Sequence, residues 1–132
     1  MKEFLKRPIA HRGLHNKNYI IENSLEAFEN AIKNNFAIEC DVVLSKDHEI
    51  IVFHDYNLKR LCNLEKNVSE MHSNELRKIH LLDTNSKIPT LEEMFYQVNS
   101  RVPILIEIKS DLKPIIEERL VQKTRTNQGE DA

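Results

Sequence analysis

The segment Ile9-Ala10-His11-Arg12-Gly13 sets a titratable ring, a fixed cation and a permissive backbone where an apolar strand ends. Such a trio suits an anionic ligand, but a histidine at a strand end is often just a hydrogen-bonded surface residue, so its meaning depends on what recurs elsewhere. Two other strands supply the recurrence. In FAIECDVVL (36–44), Glu39 and Asp41 share one face while Cys40 points to the other. In VPILIEIK (102–109), Glu107 and Lys109 repeat that spacing. Carboxylates inside strands otherwise built of Ile, Val and Leu are costly without compensation. For one such pair alone, a structural ion pair is the alternative. Three carboxylates from two strands, with water completing the shell, suit a hard divalent cation, Mg²⁺ or Ca²⁺.

His54 lies in EIIVFHD (49–55), separated from the acidic strand by SKDH, too short a link for a helical crossover. An antiparallel hairpin is therefore expected. With Asp47 and His48 as the two turn residues, Asp41 falls opposite His54, and Glu39 is one diagonal step away. His48 then serves the turn, at positive φ, rather than any chemistry. His15, His72 and His80 have no comparable neighbours and read as structural.

These residues need a scaffold. Residues 8–12 predict a short buried strand. NSLEAFENAIKNN predicts a helix with Leu25, Phe28 and Ile32 on one face, Asn23 and Glu26 as a capping box, and Asn34-Asn35 as the stop. PTLEEMFYQV predicts a second helix, with Thr90 and Glu93 as its box and Leu91, Met94, Phe95 and Val98 as its apolar face. Strands alternating with helices indicate an α/β fold with parallel strands. Between Tyr56 and Ile88 the pattern becomes irregular, with one weak helix around Ser73–His80, and reads as an insertion beside a barrel mouth. Pro114 opens a last helix, PIIEERLVQ, giving a domain over 1–122 and a polar, disordered tail over 123–132.

Bulk properties exclude several functions. The 132 residues fit one domain, with 19 basic and 21 acidic residues intermixed and a net charge of −2. No basic stripe suits nucleic acid, and no polybasic amphipathic helix suits a membrane surface. Apolar runs reach four residues, such as IIVF, so no transmembrane segment is expected. MKEFLKRP lacks the apolar stretch of a secretory signal. Cys40 and Cys62 form no CxxC pattern and read as reduced thiols of a cytoplasmic protein. Gly13 is the sole glycine before the tail.

The blocks AHRG, ENSLEAF, IECDVVLSKD, IIVFHD, IPTLEEM and LIEIK occur in order from Ile9 to Lys109. Together they resemble the glycerophosphodiester phosphodiesterases. The resemblance implies the N-terminal half of a distorted TIM barrel with a family-type insertion at about 56–88. It also implies hydrolysis of glycerophosphodiesters to glycerol 3-phosphate and an alcohol with a divalent cation. By that resemblance His11 and His54 are the general acid/base pair, and Glu39, Asp41 and Glu107 hold the metal. Arg12 and Lys109 bind phosphate oxygens, and Glu22 with Asn23 shapes the site. Which histidine is acid and which is base stays open.

A TIM barrel takes about 250 residues, so this chain is expected to be C-terminally truncated. Three readings follow: an enzyme working by self-association or with a missing C-terminal half; an inactive truncated fragment; or a non-catalytic module binding metal, phosphate or a partner. Within enzymes, a phospholipase-like phosphodiesterase acting on lipid diesters is the alternative.

Overall fold

The computed structural model describes residues 6–17 and 19–131, with side chains through Gln122. Four strands form one sheet: β1 (Ile9–His11), β2 (Ala37–Leu44), β3 (Ile50–Val52) and β4 (Ile104–Ile108). The long β2 is central. It pairs in parallel with β1 through Ile9↔Ala37 to His11↔Glu39, and in parallel with β4 through Ile38↔Ile104 to Val42↔Ile108. β3 continues on the β1 side, antiparallel to the far end of β2.

Alternation along β2 divides the core in two. Ile38, Cys40, Val42 and Leu44 pack with Phe28 and Ala31 of helix α1 (Leu25–Lys33) and with Leu91, Met94 and Val98 of helix α4 (Leu91–Val98). On the other face Val43 joins Ile51 and Phe53 in a second cluster, which extends into the segment after β3. That segment carries the short helices α2 (Lys59–Cys62) and α3 (Ser73–Leu76), and a 3₁₀ turn at Val68–Glu70. Leu58, Leu61, Val68, Leu76 and Ile88 bury themselves there, so residues 56–88 pack into the domain rather than hang from it as a loop. Burying several aliphatic side chains at about 1.5–3 kcal/mol each is what orders so irregular a stretch. The face bearing Glu39 and Asp41 is open toward β1 and β4, where Ile9 is 43% and Leu105 49% exposed.

Several local expectations hold. Helix α4 starts at Thr90, whose hydroxyl accepts from Glu93 N at 3.1 Å while the Glu93 carboxylate accepts from Thr90 N at 3.0 Å. Helix α1 ends at Asn34, with Asn35 at φ 61. Gly13, at φ +78, brings the chain so close to α1 that a Cβ there would meet Ala27 Cβ at 2.8 Å.

Others differ. Ser24, not Asn23, caps α1: its Oγ accepts from Ala27 N at 3.1 Å, because the Asn23 amide is occupied on β2. Phe95 is 40% exposed, so the buried stripe of α4 is Leu91, Met94 and Val98. The β2–β3 register is shifted by one from the expected hairpin. Val42 faces Val52, and Asp41 O accepts from Phe53 N at 3.0 Å, so Phe53, not His54, lies across from Asp41. A two-residue primed turn needs positive φ at its first centre, which would be Asp47, and here it is His48 that adopts it, at φ 60. Lys46, Asp47 and His48 form a three-residue loop instead, closed by Ser45 N donating to Glu49 O at 3.0 Å. Asp47 is held by the Ser45 and Ser73 hydroxyls, each at 2.6 Å. The last helix, α5 (Lys113–Asp131), runs past the Lys123 boundary where a disordered tail was expected. Extending a helix already nucleated, with Ile116 buried on the sheet, costs far less than starting one.

Candidate active site

The site begins with the β2–β4 register. Asp41 and Glu107 are Cα partners, and Glu39 precedes Asp41 by two, so all three carboxylates emerge on the face away from α1 and α4. One oxygen from each lies within 4.8 Å of the others. Glu39 is 5% and Asp41 3% exposed, whereas Glu107 opens to solvent.

The β1–α1 connection folds over this trio through three residues at positive φ, Arg12 (59), Gly13 (78) and Asn23 (56). Arg12 N donates to Glu39 Oε1 at 3.0 Å, and Arg12 Nε stands 3.5 Å from Asp41 Oδ2. Asn23 clamps Asp41 at both ends. Its Nδ2 donates to Asp41 Oδ2 at 3.0 Å and its Oδ1 accepts from Asp41 N at 3.2 Å. Arg12 Nη1 donates to Glu22 Oε2 at 3.1 Å. His11 Nε2 lies 3.9 Å from Glu39 Oε1, on a largely exposed ring.

Electrostatics mark Glu39. Burial raises its carboxyl to about 7 against the opposing Arg12 N–H, with the neighbouring Asp41 and Glu107 adding to the rise. Its Oε2 is buried and has no hydrogen-bond partner among the described residues. An orphaned carboxylate oxygen inside a cluster of hard oxygen donors fits a divalent cation, which would satisfy the oxygen and offset the crowded charge. Glu22 goes the other way: burial opposes ionisation, but hydrogen bonds and charge from Arg60, then Arg12, hold it below its ordinary range.

His54 and Lys109 sit together at a second corner. The Lys109 ammonium donates to the His54 carbonyl oxygen and lies 5.2 Å from the centre of the Tyr56 ring. The His54 ring is half-exposed, with Nδ1 2.8 Å from Asp55 Oδ1. Among the described residues its Nδ1 bonds Asp55 rather than the acidic trio, as the shifted register requires.

The structure therefore gathers Glu39, Asp41, Glu107, Arg12, Glu22, Asn23 and His11 directly, and joins His54 to Lys109 through the backbone. Two participants escaped the sequence reading, Asp55 and Arg60. Asp55 directly follows His54, and that adjacency was the available signal. Arg60 lies in the irregular segment, and its partners are visible only in three dimensions. A cleft of about 740 Å³ away from this cluster is lined by Asp47, Ser73, Arg77, Glu93 and Gln97.

Comparison with known proteins shows the family. Residues 11–131 match the model of the glycerophosphoryl diester phosphodiesterase family. A glycerophosphodiester phosphodiesterase of Caldanaerobacter subterraneus is 36% identical over 124 residues, covering 86% of this chain and 50% of that protein. A lysophospholipase D of Rattus norvegicus is 33% identical over 129 residues, covering 88% of this chain and 40% of that protein. Among solved structures, the glycerophosphodiester phosphodiesterase of Thermotoga maritima superposes with a TM-score of 0.75 at 34% identity, over 91% of this chain and 50% of that one. An Oleispira antarctica phosphodiesterase in complex with the product sn-glycerol-3-phosphate gives 0.73 at 25% identity, over 83% and 47%. The chain thus spans about half the length, or less, of the curated relatives it matches. With an ordered run of motifs, a mainly parallel sheet packed against helices and this breadth of likeness, the chain belongs to the glycerophosphoryl diester phosphodiesterase family and forms part of its α/β barrel.

Proposed function

We propose that this chain carries the reaction centre of a phosphodiesterase that hydrolyses glycerophosphodiesters to glycerol 3-phosphate and an alcohol. The observation that carries the reading is the buried Glu39 Oε2, without a hydrogen-bond partner among the described residues, within the Glu39–Asp41–Glu107 cluster beside Arg12 and His11. Those three carboxylates would hold Mg²⁺ or Ca²⁺, which when bound screens phosphate charge and makes phosphorus more electrophilic. Arg12 and Lys109 supply fixed positive charge for the remaining phosphate oxygens. Hydrolysis needs one proton removed from the attacking oxygen and one delivered to the leaving alkoxide, and His11 and His54 are the ring bases for that exchange. Asn23 and Glu22 keep Asp41 and Arg12 in place. Residues 56–88 border the substrate entrance. A cytoplasmic location goes with reading Cys40 and Cys62 as reduced thiols, and no described helix is long and apolar enough to cross a membrane.

The exposure of Ile9 and Leu105 on the inner face favours a second reading. In it the chain binds cation and phosphate but turns over only when self-association or a complementary half covers that face. Release of glycerol 3-phosphate from glycerophosphocholine by the purified protein, beside His11→Ala and His54→Ala, tests the first reading. Turnover lost in both variants supports it. Turnover unchanged in either removes that histidine from the reaction, and turnover present only in a self-associated fraction favours the second reading.

A further inference from the structure

We infer that Arg60 is the positioning residue of this site: it ties the insertion to both working ends of the centre, fixing the tautomer of His54 through Asp55 and the direction of Arg12 through Glu22. The inference rests on the catalytic reading given above.

One guanidinium spans two carboxylates. Arg60 Nη1 donates to Glu22 Oε1 at 2.8 Å and Nη2 to Glu22 Oε2 at 2.9 Å, a bidentate fork. Its remaining edge donates from Nε to Asp55 Oδ2 at 3.0 Å and from Nη2 to Asp55 Oδ1 at 3.2 Å. Beyond each carboxylate lies a residue assigned to the reaction. Asp55 Oδ1 is 2.8 Å from His54 Nδ1, and Glu22 Oε2 accepts from Arg12 Nη1 at 3.1 Å.

The chemistry of the Asp55 link follows from charge. Burial works against an ionised Asp55, but hydrogen bonds from Arg60 and His54 and the Arg60 charge hold it below its ordinary range. An ionised carboxylate only accepts. His54 Nδ1 must therefore carry the proton, leaving Nε2 as the nitrogen free to take or give one at the substrate. Without Arg60, Asp55 keeps its charge but loses the partner that fixes its plane. Glu22, 9% exposed, loses two of the hydrogen bonds that compensate its burial and is free to redirect Arg12. Lysine cannot replace this group, because a single ammonium lacks the planar fork needed to bridge both carboxylates.

Arg60 also comes from α2, whose neighbours Leu58 and Leu61 are buried in the second cluster. That packing places the helix independently of the head group of Arg60, a side chain that is 47% exposed. Removing the head group should therefore disturb the site while leaving the fold.

The test uses the whole chain as wild type, Arg60→Met, Arg60→Lys and Asp55→Asn, with two readouts. Nitrogen NMR of the His54 ring in its neutral form reports the tautomer. Steady-state hydrolysis of glycerophosphocholine separates kcat from KM. The wild type should show a protonated Nδ1. Arg60→Met and Arg60→Lys should both move the ring toward the Nε2-protonated form and lower kcat about 100-fold, the low end of what a placed proton-transfer group contributes. Asp55→Asn, which leaves the Arg60–Glu22 fork intact, should shift the tautomer as well, and it replaces Arg60→Met if that variant does not fold. A wild-type tautomer and kcat in Arg60→Met overturn the inference. So does full rescue by Arg60→Lys, which would mean that charge alone suffices. If the wild type shows no turnover, the catalytic reading falls, while the ring nitrogens still decide whether Arg60 governs His54.

Discussion

Substituting Glu39 by glutamine should stabilise the metal-free protein at neutral pH. Glutamine keeps an oxygen to accept from Arg12 N, bonded at 3.0 Å in the native chain, and adds donors toward Asp41 and Glu107. It removes a buried charge whose carboxyl is raised from 4.5 to about 7 by burial and by those two carboxylates. The sign is fixed by linkage. A carboxyl raised in the folded state binds its proton more tightly there than in the unfolded chain. Its contribution is therefore fully present below 4.5 and is lost as pH rises through 7. At about 1.4 kcal/mol per pKa unit, the loss is about 3 kcal/mol. Wild type should lose that much across this window relative to Glu39→Gln, and the variant should be the more stable protein at pH 8. Urea unfolding in EDTA at pH 5 and pH 8, with m unchanged between the proteins, measures the difference. Adding Mg²⁺ or Ca²⁺ should restore stability to wild type and do nothing for the variant. A variant less stable than wild type at both pH values, or stability differences that do not change with pH, would refute the reasoning.

The clamp and the connection can be tested similarly. Asn23→Ala removes two hydrogen bonds to Asp41 and puts alanine at φ 56, so it should lose about 3 kcal/mol and most cation affinity. Asn23→Gly, which relieves only the backbone part, should recover about 1 kcal/mol of that loss in the same urea titration. Gly13→Ala forces a Cβ to within 2.8 Å of Ala27 Cβ at φ +78, and should destabilise by about 2–3 kcal/mol, read as a lowered urea midpoint. A midpoint within error of wild type would mean that the β1–α1 connection yields without cost.

Much of this arrangement was legible because it is local. Alternation along β2 places Glu39 and Asp41 together, Thr90 and Glu93 announce the start of α4, and His48 takes the positive φ expected of a turn residue. What was not legible depends on distant partners. The hairpin contains three loop residues, and Asp47 is held by Ser73, 26 positions on, so no local rule separated this register from its neighbour. Asn23 looked like a helix cap, yet its amide is taken by Asp41 and the capping role passes to Ser24. Arg60 meets Glu22 across 38 positions, from a stretch without periodicity. The end of α5 was missed for another reason: composition describes an isolated segment, not one continuing a helix already docked on the sheet.

The central claim is that this chain brings a cation and two histidines to bear on phosphorus. The most direct measurement is hydrolysis of glycerophosphocholine in water labelled with heavy oxygen, with Mg²⁺ or Ca²⁺ present and then removed by EDTA, followed by mass analysis of both products. The account predicts one labelled oxygen in glycerol 3-phosphate, none in choline, and no reaction without the cation. Label in choline, product formation unaffected by EDTA, or no product from folded protein with the cation present would contradict it.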